Sequence, residues 1–224
     1  MDLILVGAGS FGREVFTWLS QKLKGNSEYK IKGFIENLPH KRMELEERGY
    51  PAKIIGTIDD YQPRPEEKLV MSIFDPKIKK HFVELLLKKG SVFYTLIHPS
   101  VITGHNVKIG EGCVICPNCI IANDSDIGDF VFINTNSTVG HDTVVGDFTS
   151  INGGVEITGD VKVGSECFFG VGSVVINKQK IGDRAIVGAG SVVIRSIRSD
   201  VTVFGNPAKV VKGANTPVKK NISD

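Results

Sequence analysis

"IGEGCVICPNCIIANDSDIGDFVFINTNSTVGHDTVVGDF", residues 109–148, decides the fold. Stepping by six from its first residue gives Ile109, Ile115, Ile121, Ile127, Ile133, Val139 and Val145, and the steps run on through Ile151, Ile157, Val163, Phe169, Val175, Ile181 and Val187 to Val193. Fifteen consecutive steps land on a large apolar residue. The next position is glycine in eight of the fifteen cases, and the position two before is small or β-branched almost throughout. An amphipathic helix needs apolar spacing near 3.6 and a half-buried strand a spacing of two, so neither template fits. A period of six is that of a hexapeptide β-helix, in which each short strand forms one side of a coil. With three sides to a triangular coil, the fifteen hexads make five coils with strands about 4.8 Å apart. The recurrent glycines are expected to supply positive φ at the corners.

The same register explains the cysteines. Cys113, Cys119 and Cys167 fall on the small interior position, where cysteine serves as a compact filler. Zinc sites use paired ligands at other spacings, so no metal site is expected.

Upstream of the repeat the pattern changes. Asp2 to Val6 reads as a strand, Gly7-Ala8-Gly9-Ser10-Phe11-Gly12 matches G-x-G-x-x-G, and Arg13 to Leu23 has helical apolar spacing. A second strand, Tyr29 to Ile35, ends at Glu36. Strand, glycine turn, helix, strand and acid together form a nucleotide-binding βαβ unit. Further strands are expected at Lys53–Ile55 and Lys68–Ile73, with a helix at Lys77–Lys89. There is no room for a second half before the repeats begin, so NAD is the weaker reading and a nucleoside diphosphate at the helix N-terminus the better one. A third reading gives the glycines only the task of close strand-to-helix packing. The chain thus divides into an α/β half-Rossmann βαβ domain over 1–97, an all-β parallel β-helix over 98–212 and a flexible tail over 213–224.

Composition narrows the class. Hydrophobic residues make up 41% and charged residues 23%, as in ordinary globular proteins. A net charge of +2 argues for neither nucleic acid nor an anionic membrane. The first residues lack the basic start of an export signal and any run long enough to span a bilayer, so a cytoplasmic location is expected.

Only His105 and His141 lie beyond residue 100. Both stand two places after the bulky position, at a corner, and 36 residues apart, which puts them about 9.6 Å from each other along one edge. That separation is too long for shared ligation of one ion. His141 is followed by Asp142 and preceded by Asn134 one coil side earlier. Two readings stay open: a surface imidazole capping a carbonyl, or a general base whose tautomer a carboxylate fixes.

Taken together, VGAGSFGRE, IHPSVI, NTNSTVGHDTVVGDF, the unbroken hexads, VGAGSVV and GNPAKVV resemble the bacterial sugar acetyltransferases of the left-handed β-helix superfamily, in particular the nucleotide-amino-sugar N-acetyltransferases and sialic acid O-acetyltransferases. The resemblance implies a left-handed helix, a homotrimer and acetyl-CoA in a groove between helices. It further implies His141 as base and Asp142 as its partner, acetyl-CoA contacts at Ser150, Gly159, Val171 and Ala189, and nucleotide-sugar contacts at Gly9, Ser10, Glu36 and Asn37, with Asn134 near the acceptor. Ser150 stands where relatives often have a second histidine, and Glu36-Asn37 where they often have two acids. The expected reaction is direct acetyl transfer from acetyl-CoA to the amino group of a nucleotide-linked sugar. O-acetylation of a sugar such as sialic acid, and a non-catalytic nucleotide-binding scaffold, are the alternatives. Lys178, Lys180, Arg184 and Lys209 are candidates for the coenzyme's phosphates or for plain surface.

Overall fold

The computed structural model describes residues 1–213; the greater part of the expected tail, residues 214–224, lies outside the described residues. A parallel sheet of β1 (Asp2–Val6), β2 (Lys30–Ile35), β3 (Ile54–Gly56) and β4 (Glu67–Met71), in the order β3-β2-β1-β4, opens the chain. Its helices are α1 (Ser10–Lys22), α2 (His40–Glu47) and α3 (Pro76–Lys88). Leu3, Ile4, Leu5 and Val6 are all buried, as a continuous apolar run covered on both faces requires. No helix of the described residues is long and apolar enough to cross a membrane.

From β5 (Leu96–Ile97) onward the chain coils. Two-residue strands recur every six residues and pair in parallel with the strand eighteen residues on, as Asp126 with Val144 and Thr138 with Glu156. Three faces result. The first carries Ile109, Ile127, Val145, Val163 and Ile181, the second Ile115, Ile133, Ile151, Phe169 and Val187, and the third Ile121, Val139, Ile157, Val175 and Val193. With one exception, Ile109 at the open end, these side chains are buried and stack into one column of core. Ile97 and Thr103 extend the register upstream of the fifteen hexads, so the coil begins at Leu96. It ends in a strand at Thr202–Phe204, which turns back through Gly205 to Ala208 into an antiparallel strand at Lys209–Lys212.

The small interior residues close the corners. Hydroxyls of Ser125, Ser137, Thr143 and Thr149 donate to the carbonyls of Gly140, Asn152, Thr158 and Gly164, at 2.8–3.0 Å. The thiols of Cys113, Cys119 and Cys167 make the same bond to Gly128, Asn134 and Gly182. Each of these carbonyls is fifteen residues downstream of its donor, so a buried polar group finds a partner without leaving the core. Burial pushes the thiols upward, Cys113 to about 12 and Cys119 and Cys167 to about 11.

The expected role of the recurrent glycines needs correcting. Positive φ falls two residues after them, at Asn106, Asn118, Asp124, Phe130, Asn136, Asp142, Phe148, Asp160, Glu166, Lys178 and Arg184 among others. The recurrent glycines are needed for space. A Cβ on Gly146 would lie 2.6 Å from the carbonyl carbon of Gly164 on the next coil, and one on Gly140 2.5 Å from the nitrogen of Gly159.

Helix α3 docks on the second face. Phe11 and Phe74 pack against Phe132 and Phe168, with ring centroids 5.7–6.3 Å apart. Between them Lys79 is wholly buried. Its Nζ donates to Ser150 Oγ (2.9 Å) and to the Thr149 carbonyl (3.3 Å), and sits 3.8 Å from the centroid of the Phe132 ring. Burial drives its pKa well below the usual lysine value, against the weaker pull of Cys113 and Asp75. With a folded pKa below the unfolded one, the unfolded chain binds more protons between the two, so stability rises with pH across that window up to about 10.5. Ser150 Oγ donates to the Phe74 carbonyl and Thr149 O accepts from Phe132 N, so removing the amine orphans neither. Lys79→Met should therefore raise the melting midpoint at pH 7, by on the order of 2–4 °C per kcal/mol gained, and flatten the rise toward alkaline pH. A lowered midpoint would show the cation to be net stabilising.

Candidate functional site

Corner residues along the edge between the third and first faces stack in the order His105, Asn123, His141, Gly159, as the bonds Asp124 N to His105 O, Asp142 N to Asn123 O and Asp160 N to His141 O record. His105 and His141 therefore share one edge, two coils apart. Asp142 occupies the left-handed region at φ +57°, which swings its carboxylate back toward the ring. His141 Nδ1 and Asp142 Oδ2 are 2.7 Å apart. The carboxylate can only accept, so Nδ1 donates, and in the neutral ring the lone pair is left on Nε2. Side-chain exposures of 63% and 55% leave the pair open on the edge.

Why the imidazole fits here is a matter of what stands eighteen residues on. At other corners an oxygen from the next coil caps the backbone: Asn123 Oδ1 accepts from His105 N, Asp129 from Glu111 N, Asp147 from Asp129 N and Asp183 from Ser165 N. Above His141 the residue is Gly159, which has no side chain to offer. The ring takes that space. A Cβ on Gly159 would lie 2.5 Å from His141 Cε1 and 2.8 Å from Cδ2, and closer still to Nε2. Among the described residues neither the His141 nor the Gly159 N–H meets an acceptor. An imidazole ring nitrogen and two N–H groups without acceptors thus lie along one solvent-facing edge.

The other candidates fall elsewhere. Val171, 60% exposed, and Ala189 stack on the edge between the second and third faces, where Gly190 N donates to Val171 O. Asn134 lies on that edge too, its Oδ1 accepting from Thr135 N at 2.8 Å. Ser150 must be corrected: it is wholly buried beneath α3, bonded to Lys79 and Phe74, and no coenzyme reaches it. Lys79, which the sequence does not single out, is what closes over it. Arg184 is held by Asp200 through two bonds of 2.6 and 2.8 Å.

In the N-terminal unit the glycines separate into two kinds. A Cβ on Gly7 would lie 2.7 Å from Ile73 Cγ1 and one on Gly12 would strike the Gly7 carbonyl, so these two answer to packing. Gly9 has nothing within 4 Å of its missing Cβ. It precedes α1, whose N-terminus carries no capping side chain and no acid in its first turn, whereas α3 is closed by Asp75 accepting from Ile78 N. Ser10 beside it is exposed. Glu36 accepts from Ala8 N (2.8 Å) and Leu38 N (3.0 Å), tying the glycine turn to the loop after β2. Asn37 Oδ1 accepts from Ile58 N (2.8 Å) and Asp59 N (3.3 Å).

No protein-family model and no curated protein matches the sequence. Solved structures do. The chain is similar to the acetyltransferase domain of PglB from Neisseria gonorrhoeae FA1090 in complex with acetyl coenzyme A, at 25% identity and TM-score 0.81, with 94% of this chain and 98% of that one covered. It is also similar to WeeI from Acinetobacter baumannii AYE, at 27% identity and TM-score 0.83 over 94% of this chain and all of that one. A third similar structure is a histidine-to-asparagine variant of perosamine N-acetyltransferase from Caulobacter crescentus in complex with CoA and GDP-perosamine, at 26% identity and TM-score 0.81, over 94% and 96% of the two chains.

The packing of the ring on Gly159 is testable in isolation. In a crystal structure of Gly159→Ala the imidazole should be displaced and the 2.7 Å contact to Asp142 broken, while the melting midpoint moves little. An undisturbed ring would show that the space above it is not limiting.

Proposed function

We propose that this acetyltransferase of the left-handed β-helix type transfers the acetyl group of acetyl-CoA to the amino group of a nucleotide-linked amino sugar, in a ternary complex, with His141 as general base. The observation that carries the reading is the His141–Asp142 pair seated on Gly159, in a chain that shares its whole architecture with acetyltransferases crystallised with acetyl-CoA or with CoA and GDP-perosamine.

The chemistry follows from the free Nε2. An ammonium has no lone pair, so the amine binds neutral and attacks the thioester carbonyl, forming the C–N bond. Nε2 takes the proton this nitrogen sheds, and Asp142 stabilises the imidazolium through Nδ1–H. The oxyanion is received by an N–H with no other partner, that of Gly159. Collapse breaks the C–S bond, and the departing thiolate recovers the proton from Nε2. The same base would serve a hydroxyl; the likeness to perosamine N-acetyltransferase favours nitrogen.

Substrate placement implies more than one copy. The N-terminal unit, 1–97 in our division, lies on the second face of the coil unit, 98–212, whereas His141 stands on the edge opposite that face. Gly9, Ser10 and Asn37 would hold the nucleotide there, diphosphate on the open end of α1, with Glu36 holding the turn. A sugar so held meets the His141 of a neighbouring chain. The coenzyme sites Gly159 and Val171 with Ala189 lie on two different edges, and a homotrimer bringing such edges together gives the exposed imidazole its cleft. Acetyl-CoA and nucleotide sugars are metabolites of the cytoplasm, which is where the reading puts the reaction.

Replacing His141 by Asn should lower kcat by about 10² to 10⁴, with oligomeric state and acetyl-CoA affinity by calorimetry unchanged. Turnover at the wild-type rate would remove the base assignment.

A further inference from the structure

At two corners of the coil a single peptide is hydrogen-bonded at both ends. The Gly164 carbonyl accepts from the buried Thr149 hydroxyl (3.0 Å), while Ser165 N, across the same peptide, donates to Oδ1 of the exposed Asp183 (2.9 Å). The Gly128–Asp129 peptide repeats this, with the buried Cys113 thiol on its carbonyl and Oδ1 of the exposed Asp147 on its N–H (2.8 Å). A trans peptide is planar, and its C=O and N–H point in opposite directions. A donor inside the coil that holds the carbonyl therefore aims the N–H outward, at the edge.

The Thr158–Gly159 peptide has the inner half of this arrangement and lacks the outer half. Thr143, wholly buried, donates from Oγ1 to Thr158 O (3.0 Å) and accepts from Val161 N (3.3 Å). Among the described residues no backbone N–H reaches Thr158 O, and the Thr143 hydroxyl is its donor. At the other end of the peptide Gly159 N meets no acceptor among the described residues. A hydrogen bond on a carbonyl also polarises its peptide, which makes the N–H a stronger donor.

Resting on the acetyl-transfer reading above, we infer that Thr143 is a positioning residue for the reaction: its hydroxyl aims and polarises the Gly159 N–H that receives the oxyanion. Thr143 acts from inside the coil and touches no substrate. Its hydroxyl also lies 3.4 Å from the His141 carbonyl, so one buried group joins the coil of the base to the coil of the donor. A donor fixed in advance costs no reorganisation when charge develops on the thioester oxygen.

The test compares Thr143→Val, Thr143→Ser and Thr149→Val in the full-length chain, by steady-state kinetics with acetyl-CoA and GDP-perosamine or a UDP- or dTDP-linked 4-amino sugar. Valine fits, since Val131, Val155 and Val161 are buried at the equivalent position of other hexads. Thr143→Val should lower kcat about tenfold, short of the roughly 10² to 10³ that outright loss of an oxyanion donor costs, with KM for both substrates within about twofold of wild type. Thr143→Ser keeps the hydroxyl and should turn over near the wild-type rate. Thr149→Val removes the same pair of bonds, to Gly164 O and from Cys167 N, around a peptide whose N–H is already taken by Asp183. It should lower the melting midpoint as Thr143→Val does and leave kcat at the wild-type value. Wild-type kcat in Thr143→Val, a loss confined to KM, a Thr143→Ser as slow as Thr143→Val, or an equal fall of kcat in Thr149→Val overturns the inference and leaves the acetyl-transfer reading standing. A wild-type enzyme that consumes acetyl-CoA with none of these acceptors removes that reading, and the inference with it.

Discussion

Main-chain hydrogen bonds between coils, which join residues seventeen or nineteen apart and so set a register of eighteen, are the constraint on which the molecule depends. They hold each corner from both sides: at His141, Asp142 N is tied to Asn123 O on the previous coil and Asp160 N to His141 O on the next. The bulky interior column makes this register obligatory, because slipping one residue would turn Val139 and its equivalents outward. Rigid corners in turn fix what a side chain can meet. The imidazole stands on Gly159 because eighteen residues separate them and the glycine leaves the space for the ring.

The same constraint explains what could be read from the chain alone. Period six was legible because each position in the hexad performs one task fifteen times over. Interior cysteines and serines were legible too, since only small residues fit where a thiol or hydroxyl must reach a carbonyl fifteen residues on. The glycines were misread because their task lies between coils, a relation of eighteen that a reading of period six does not expose. The corners with positive φ carry a mark that is easily missed: asparagine, aspartate and glycine hold most of them, including Gly112, Gly154, Gly172 and Gly190, but Phe130, Phe148, Glu166, Lys178 and Arg184 interrupt the series. Helix α2 escaped notice since, among the described side chains of His40–Glu47, Leu45 alone is buried and the sequence shows no apolar face.

Long-range docking accounts for the remaining differences. Ser150 occupies an outward position of a strand, where exposure is the rule, and only the arrival of α3 buries it. Lys79 looks like any lysine on an amphipathic helix until the second face closes over it. In the glycine turn, sequence offered a phosphate cradle and close packing as alternatives. The structure divides them by residue, with Gly7 and Gly12 serving packing and Gly9 free of it. Glu36, expected to contact a nucleotide sugar, also ties two loops together.

Docking on the second face also turns the N-terminal unit, where we propose the nucleotide binds, away from the edge that carries its own His141, so each reaction is placed between two chains. Subunit mixing tests this most directly, using His141→Ala, which lacks the base, and Gly9→Asp, which puts a negative charge at the open end of α1 where a Cβ meets nothing. Each variant alone should be inactive. Oligomers reassembled from equal amounts should recover about a quarter of wild-type turnover, the chance that an intact unit meets an intact histidine across a shared interface. Mixed oligomers that form and stay inactive would place base and nucleotide in one chain and contradict the account.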